Sequence, residues 1–271
     1  MKNVPIKFLD RPRATIGLIQ VPSDIVLDME AGPLLGQVAD IIWRFTKMKF
    51  ADHDSEINEE TYKRASKNIS EATRTFLPAE AGEYGTIDVM VLSCTSLSFT
   101  LGPEMVQKEL LSGYPSATAV TDMATAVVAA IKSVTQKSSP RVALLTPYIR
   151  EVHQSNLNFL LAHEIHVAID HNLGFKCDKE TSALSPTSIF NFARALADGD
   201  ETIDAIFIGC SAFRSTQYGF IDKLEQETGK PVITSNQAVL WQSLTLCEKI
   251  DVKDISAIVG YGRLFTQSSL K

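Results

Sequence analysis

The sequence has no apolar run long enough to cross a membrane, and its first residues lack the apolar core of a signal peptide. It also has no excess of positive charge, since 26 Lys and Arg residues stand against 32 Asp and Glu residues and give a net charge of -6. No basic patch with interleaved aromatic residues is present, which argues against a nucleic acid partner. We therefore expect a cytoplasmic protein that binds neither membrane nor nucleic acid.

Cysteine is scarce, and no two cysteines form a C-x-x-C pair. The four cysteines are spread along the chain, at Cys94, Cys177, Cys210 and Cys247. A disulfide framework is not expected in a reducing compartment, so each thiol serves either packing or chemistry. A phosphate-binding Gly-rich loop is also missing, and the pair His163 and His166 lacks the third ligand that zinc requires. We expect neither a metal nor an organic cofactor.

Short apolar runs rich in Val and Ile recur along the chain. They predict six strands, at residues 14–21, 86–93, 141–146, 166–169, 203–209 and 232–234. Helical patterns occupy the intervening segments, at residues 59–76, 122–134 and 185–199. Near-continuous apolar strands that alternate with helices predict an α/β fold whose parallel sheets are covered on both faces.

Two of these strands end in the same pattern. Each apolar strand runs into a cysteine that small hydroxyl residues follow, in Cys94-Thr95-Ser96 and in Cys210-Ser211. Ligands of parallel sheets bind beyond the carboxyl ends of the strands, where a helix N-terminus favours an anion and lowers the pKa of a thiol. Two such thiols could remove a proton from the carbon beside a carboxylate and return one to the opposite face. Alternatively, both cysteines are packing residues, as we expect for Cys247.

Six stretches of the chain resemble the aspartate/glutamate racemase superfamily, and most of all its branch of maleate cis–trans isomerases, arylmalonate decarboxylases and ectoine-utilization proteins. They are IGLIQVPSD at Ile16–Asp24, CTSLSF at Cys94–Phe99, LLTPY at Leu144–Tyr148, IGCSAFRS at Ile208–Ser215, TSNQAVLW at Thr234–Trp241 and GYGRLF at Gly260–Phe265. The resemblance implies two pseudo-twofold-related α/β lobes with the active site in the cleft between them. We assign residues 1–120 and 235–271 to the first lobe and residues 121–234 to the second.

The resemblance also implies roles for individual residues. It places the two catalytic cysteines at Cys94 and Cys210. It implies substrate-binding positions at Pro22, Ser23, Asp24, Thr95, Ser96, Tyr148, Ser211, Ser235, Asn236 and Asn172. By itself, however, Ser235-Asn236 would indicate a helix cap, and an Asn before a Gly turn is common.

Two departures from the family pattern bear on the reaction. Maleate isomerases tend to carry Asn where this chain has Asp24, whose charge would repel a second carboxylate and suit a substrate with an amino group. The decarboxylases typically carry Gly where this chain has Cys94.

We therefore predict a cofactor-independent racemase or isomerase of a small carboxylate. The alternatives are a maleate-type isomerase with a covalent cysteine adduct, an arylmalonate-type decarboxylase, and a non-catalytic acid binder or thiol redox sensor. The oligomeric state stays open, with a homo-oligomer as one option.

Overall fold

The computed structural model describes residues 12–50, 59–76 and 86–266. Four parallel strands form the first sheet in the order β2-β1-β3-β4, namely β1 (Ala14–Gln20), β2 (Ile41–Lys47), β3 (Val89–Leu92) and β4 (Ala119–Asp122). Four more form the second sheet in the order β6-β5-β7-β8, namely β5 (Arg141–Tyr148), β6 (His166–Phe175), β7 (Ala205–Ile208) and β8 (Val232–Thr234). Each strand of one sheet therefore has a counterpart in the other, and the predicted fold of two related α/β lobes is confirmed.

Helices connect the strands of both sheets. They are α1 (Val26–Leu35), α2 (Glu59–Ala65), α3 (Lys67–Thr73), α4 (Thr95–Leu101), α5 (Pro103–Gly113), α6 (Met123–Thr135), α7 (Arg150–Ala162), α8 (Asp178–Ala183), α9 (Pro186–Gly199), α10 (Phe220–Thr228), α11 (Ser235–Thr245) and α12 (Val252–Ser256). A short 3-10 turn follows at Arg263–Phe265. Among the described helices, none combines the length and hydropathy that a membrane span requires.

All six predicted strands occur, but the sequence patterns did not predict β2 and β4. β2 is an edge strand whose sequence IIWRFTK is half-exposed and carries Arg44, Thr46 and Lys47, so it lacks the apolar run of a buried strand. β4 has only four residues, which is too short for a clear pattern. The helix predicted at residues 59–76 is two helices, α2 and α3, separated at Ser66.

Local signals explain where two of the helices begin. The Ser185 hydroxyl accepts a hydrogen bond from the backbone N–H of Ser188 at 3.1 Å, and Pro186 occupies the first turn of α9, as predicted. The Asp122 carboxylate, at the end of β4, accepts from the backbone N–H groups of Ala124 and Thr125 and so begins α6. At Asp122 the strand β4 therefore leads directly into helix α6.

The buried side chains form two clusters, and each cluster draws on both sheets. The first includes Leu18 of β1 and Leu144 of β5, and it surrounds helices α6 and α11, which pack against each other. The second includes Ile19 of β1 and Leu145 of β5. Strand residues that alternate between clusters confirm that both faces of each sheet are covered.

The first sheet uses strands between residues 14 and 122, and the second uses strands between residues 141 and 234. Helix α11, which follows the second sheet, contacts α1, β3 and β4 of the first lobe as well as β8. The predicted lobe boundaries also include residues 1–11 and 267–271, which lie outside the described residues.

Candidate active site

Cys94 and Cys210 follow equivalent strands of the two sheets. Cys94 comes one residue after Ser93 at the end of β3, and its extended backbone (φ -141°, ψ 114°) caps helix α4. Cys210 follows Gly209 at the end of β7. Both thiols are buried, with 5% and 3% exposure, and both line the same cavity. The structure therefore brings together the two cysteines that the repeated sequence pattern singles out.

The cavity between the two cysteines is small. Its volume is about 10 Å³, close to the space that one water molecule needs. It is lined by Val21, Phe50, Tyr62, Cys94, Ser96, Tyr148, Asp178, Cys210 and Ser211. The lining therefore combines apolar side chains with hydroxyl groups, both thiols and a carboxylate.

Three of the predicted substrate-binding residues line the cavity, and each lies close to a cysteine. Ser96 accepts a hydrogen bond from the Tyr62 hydroxyl at 2.6 Å, and its own oxygen lies 3.9 Å from the Cys94 sulfur. Tyr148 lies beside Cys210, and its hydroxyl lowers the pKa of that thiol. Ser211 directly follows Cys210. Hydroxyl donors therefore accompany both sulfurs.

Three other predicted residues, Thr95, Asn172 and Asn236, do not line the cavity. The Thr95 hydroxyl donates to the sulfur of Met123 at 3.2 Å, away from the cavity. Asn172 donates to the backbone carbonyl of Tyr148 at 3.1 Å. Asn236 donates to the backbone carbonyl of Ser211 at 2.9 Å. These contacts fix the strand end that carries Tyr148 and the turn that follows Cys210.

Ser235 and Pro22 have no contact with the cavity. Ser235 is fully buried as the first residue of α11, where Thr234 is the helix cap and Gln237 completes a capping box. The cap that the sequence indicates at this position therefore exists, one residue earlier. Pro22 is exposed on the loop that follows β1.

Burial dominates the protonation of both thiols. It raises the pKa of Cys94 to about 12, although the backbone N–H of Leu97 in α4 lowers it in part. It raises the pKa of Cys210 well above its usual range, against the Tyr148 hydroxyl and the N–H of Ala212, which lies 3.3 Å from the sulfur. Backbone N–H groups lower the pKa of each thiol, as expected of a helix N-terminus at Cys94, but burial outweighs them at both positions.

Two structural features explain why the helix effect is weak. Helix α4 has only seven residues, and the N–H of Leu97 in its first turn lowers the pKa of Cys94 by less than burial raises it. A turn follows Cys210 instead of a helix, because α10 begins only at Phe220. The raised pKa favours the neutral thiol at both positions, so forming a thiolate costs free energy.

Asp24 is not among the residues that line the cavity. It is fully buried in the loop between β1 and α1, and one carboxylate oxygen accepts from the N–H groups of Val26 at 3.0 Å and Leu27 at 3.3 Å. Burial raises the pKa of Asp24, and the hydroxyl of Ser211, which does line the cavity, opposes that rise. Asp24 in turn raises the pKa of both cavity cysteines, so its charge acts on the cavity although its side chain begins α1.

The acidic side chain that does line the cavity is Asp178, at the start of α8. The Ser23 hydroxyl donates to Asp178 from the loop after β1, so the contact joins the two lobes. Burial raises the pKa of Asp178. The carboxylate in turn raises the pKa of both Cys94 and Cys210, which shows that it lies within electrostatic reach of each sulfur.

Sequence reasoning missed Asp178, Tyr62 and Phe50. A signal for Asp178 existed, because β6 continues to Phe175 instead of ending at Ile169, and Asp178 then follows the carboxyl end of a strand. Tyr62 is a single aromatic residue on the amphipathic helix α2, where nothing separates it from a core residue. Phe50 lies in the loop after β2, a strand that the sequence pattern did not reveal.

A buried carboxyl group connects the first lobe to the turn after Cys210. Glu30 of α1 accepts a hydrogen bond from the backbone N–H of Thr216 at 3.0 Å. Asn236, which holds the Ser211 carbonyl, also lowers the pKa of Glu30, but burial outweighs it and raises the pKa of Glu30 to about 8. Across residues 12–50, 59–76 and 86–266, no cluster of three His, Cys, Asp or Glu side chains could hold a metal ion.

A family model described as arylmalonate decarboxylase matches residues 32–265 of this chain. Among curated proteins, the arylmalonate decarboxylase of Bordetella bronchiseptica is 26% identical over 185 residues, which cover 66% of this chain and 72% of that protein. The range that the family model matches includes both cavity cysteines.

Solved structures with similar folds include two maleate isomerases and a decarboxylase. The Pseudomonas putida maleate isomerase, a cysteine-to-alanine variant with maleate, has a TM-score of 0.77 and 20% identity over 95% of this chain and 99% of that one. The Nocardia farcinica enzyme, a cysteine-to-serine variant with a covalently bound succinylcysteine intermediate, has a TM-score of 0.76 and 21% identity over 94% and 98% of the chains. A liganded variant of arylmalonate decarboxylase has a TM-score of 0.74 and 22% identity over 93% and 98%.

Proposed function

The chain belongs to the arylmalonate decarboxylase family, within the aspartate/glutamate racemase superfamily, and from this we propose that it is a cofactor-independent racemase or isomerase of a small carboxylate. Cys94 and Cys210 are its acid and base. One observation carries the proposal: both thiols, at equivalent strand ends of the two lobes, line a single small cavity. A decarboxylase that protonates its product on one face needs one such thiol, and this cavity holds two.

The reaction would proceed by proton transfer on opposite faces of the substrate. One cysteine, as a thiolate, takes the proton from the carbon beside the carboxylate, and the C–H electron pair moves into an enediolate. The other cysteine, as a thiol, gives its proton to the opposite face of that carbon and becomes the thiolate. No atom is gained or lost, and the two cysteines have exchanged protonation states.

Hydrogen-bond donors on the cavity wall would stabilise the enediolate. The hydroxyl groups of Ser96, Tyr148 and Ser211 line the cavity, and an oxyanion gains most from donors that are already in place. Tyr62 keeps Ser96 in position through a 2.6 Å hydrogen bond, and Asn236 keeps the Ser211 backbone in position. Ser96 and the Ser211 backbone are therefore held in position before the charge develops.

The test is exchange of the substrate α-hydrogen in D₂O, followed by NMR over a panel of small carboxylates. Either Cys94→Ser or Cys210→Ser should reduce inversion of the α-carbon by at least about 100-fold, because a serine hydroxyl has a far higher pKa than a thiol and so rarely ionises and donates its proton poorly. Exchange on one face can persist through the remaining cysteine, so inversion is measured beside exchange. Cys247→Ser is the matched control, because Cys247 is buried equally, at 3%, but lies outside the cavity. Full inversion activity in both cavity variants would exclude the proposed pair.

Maleate-type isomerisation is the second candidate, and the succinylcysteine intermediate of the Nocardia farcinica enzyme supports it. A thiolate would add to a carbon of the double bond, forming a C–S bond while the π electrons move into an enediolate. After rotation about the new single bond, the C–S bond would break and restore the alkene. Intact mass spectrometry of Cys210→Ser or Cys94→Ser with substrate would detect this adduct, which proton transfer does not form.

Decarboxylation of a substituted malonate is the third candidate, supported by the family match itself. The bond to the leaving CO₂ would break, and Cys210 alone would protonate the resulting enediolate. Release of CO₂ that survives Cys94→Ser and is lost in Cys210→Ser would favour it over the two-cysteine reaction.

A further inference from the structure

We propose that a second cavity, between α1 and the turn that follows Cys210, binds a compact carboxylate with a flat apolar body, such as benzoate. This second cavity shares no lining residue with the cavity between the cysteines. The inference therefore does not depend on the cysteine reaction.

The second cavity is much larger than the one between the cysteines. Its volume is about 150 Å³, against about 10 Å³ for the cysteine cavity. A cavity of about 150 Å³ can hold a molecule of the size of benzene. Helix α1 of the first lobe contributes Met29, Glu30 and Pro33 to its wall, and the turn of the second lobe contributes Arg214 and Tyr218. A ligand in this space would therefore touch an element of each lobe.

Two buried polar groups in this wall have no hydrogen-bond partner among the described residues. One oxygen of the Glu30 carboxyl accepts from the N–H of Thr216, but the other, Oε1, has no partner, and neither has the hydroxyl of Tyr261. Glu30 is 6% exposed and Tyr261 is 1% exposed. A buried polar group without a partner costs free energy, so a ligand that supplies the missing hydrogen bonds would be stabilised.

Arg214 gives the second cavity its positive charge. Its Nε donates to the backbone carbonyl of Ser182 at 2.9 Å, and within the described part of the chain its guanidinium forms no ion pair. The charge of Arg214 lowers the pKa of Glu30, but burial outweighs it and raises that pKa to about 8. Near neutral pH Glu30 is therefore mostly protonated and does not cancel the charge. The wall then presents a guanidinium, a carboxyl O–H and a phenol O–H, which are donors suited to a carboxylate.

The apolar part of the wall suits a flat ligand. Met29, Pro33 and Tyr218 line the cavity, and Met29 and Tyr218 remain largely exposed. The Tyr218 ring packs edge-on against the Tyr261 ring, with 6.1 Å between their centroids. It also lies so close to the backbone of Gly260 that a Cβ atom there would clash with it. An exposed aromatic ring that its neighbours hold in place favours stacking with another ring.

The test measures binding of benzoate, benzyl alcohol and benzylamine, which share a ring and differ in charge, to the whole protein by isothermal titration. We expect benzoate to bind at least about tenfold more tightly than benzylamine, with benzyl alcohol between them. Arg214→Gln should weaken benzoate by about tenfold or more and leave benzyl alcohol within about twofold. Arg214→Lys, which keeps the charge, should lose less. Arg194→Gln, at an exposed position on α9, is the matched control and should change nothing.

A pair of tyrosine variants shows which of the two cavities holds the probe. Tyr261→Phe should weaken benzoate by about threefold or more, because it removes a buried donor. Tyr148→Phe removes a buried phenol hydroxyl from the cysteine cavity instead, and it should leave benzoate binding unchanged. Tyr218→Ala changes an exposed residue, so the fold should persist while all three probes bind more weakly. Circular dichroism confirms that each variant is folded.

The protonation of Glu30 gives benzoate binding a pH dependence of definite sign. The charges of Asp24 and Arg214 act on Glu30, and its other polar neighbours, Asn236 and Tyr261, are neutral at these pH values. As the pH rises through about 8, Glu30 changes from a donor into a carboxylate that repels benzoate. Benzoate affinity should therefore fall between about pH 6 and about pH 9, and Glu30→Gln should remove most of that fall.

Any of three results would overturn the inference. The first is benzoate binding that Arg214→Gln and Tyr261→Phe leave unchanged, or that Tyr148→Phe abolishes, which would place the probe in the cysteine cavity. The second is tighter binding of benzylamine than of benzoate, which would make the second cavity a cation site. The third is no detectable binding of benzoate up to about 10 mM. Because these readouts are binding constants, they stand apart from the D₂O exchange that tests the cysteine pair.

Discussion

At the scale of single residues, Cys94, Cys210 and Cys247 are buried to nearly the same extent, with exposures between 3% and 5%. Burial therefore does not distinguish a cavity thiol from a packing thiol. Their surroundings do, because Cys94 and Cys210 have hydroxyl side chains beside the sulfur, whereas Cys247 belongs to the first core cluster. The same burial makes both cavity thiols weak acids, which has a measurable consequence.

The rate of α-hydrogen exchange should rise with pH. The reactive base is a thiolate, and burial raises the pKa of Cys94 to about 12 and that of Cys210 well above its usual range. The thiolate fraction then increases close to tenfold per pH unit between about pH 6 and pH 9, and kcat/KM reports the free protein. We expect kcat/KM to follow it without a plateau. A plateau beginning near pH 7 would show that a thiolate already exists in the free cavity.

At the scale of secondary structure elements, helix α1 and the turn after Cys210 are joined through one buried carboxyl group. Glu30 of α1 accepts from the N–H of Thr216, and burial raises the pKa of Glu30 to about 8. In the unfolded chain this carboxyl would have its ordinary pKa of 4.5. Between these two values the folded protein binds more protons than the unfolded chain, so its stability must fall as pH rises.

Glu30→Gln should remove that part of the pH dependence while keeping the acceptor for Thr216. For the parent protein we expect the free energy of unfolding to fall from pH 5 to pH 8 by on the order of 3 kcal/mol more than for Glu30→Gln. Urea titrations at both pH values measure the difference. The exposed Glu104, replaced by Gln, is the control and should keep the parent slope. Equal slopes for parent and Glu30→Gln would mean that Glu30 is ionised in the folded protein.

At the scale of the whole molecule, the two lobes do not have separate cores. Both clusters of buried side chains draw on both sheets, and α6 packs against α11. Two hydrogen bonds also join the lobes near the cavity, one between Ser23 and Asp178 and one between Glu30 and Thr216. The cavity is therefore formed by the same packing that joins the two lobes.

Such shared cores should make unfolding a single cooperative transition. Trp43 lies on β2 in the first lobe, and Trp241 lies on α11. Urea curves from tryptophan fluorescence and from far-UV circular dichroism should coincide, with one midpoint. Replacing Trp43 by Phe leaves Trp241 as the source of the fluorescence signal. The unfolding midpoint should then change only by the effect of the substitution itself on stability. Two separated transitions would show that the lobes unfold independently.

The sequence by itself determined the α/β class, six of the eight strands in the described residues and the repeated strand-end pattern at Cys94 and Cys210. Apolar runs and strand-end patterns are local, so each can be read without knowing how the two sheets pack. The short strand β4 and the half-exposed edge strand β2 lacked such a local pattern. Because β2 was not predicted, the position of Phe50 in the loop after it could not be predicted either. The lobe boundaries and the roles of the substrate-binding residues stay predictions.

Only the tertiary structure decided which acidic side chain faces the cavity and how the thiols titrate. Asp178 is far from both cysteines in the sequence, and only the packing of the lobes places it in the lining of the same cavity. The pKa of each thiol likewise follows from burial by both lobes, which outweighs the local effect of helix α4. Charge and desolvation depend on distance in space, and a sequence pattern records distance only along the chain.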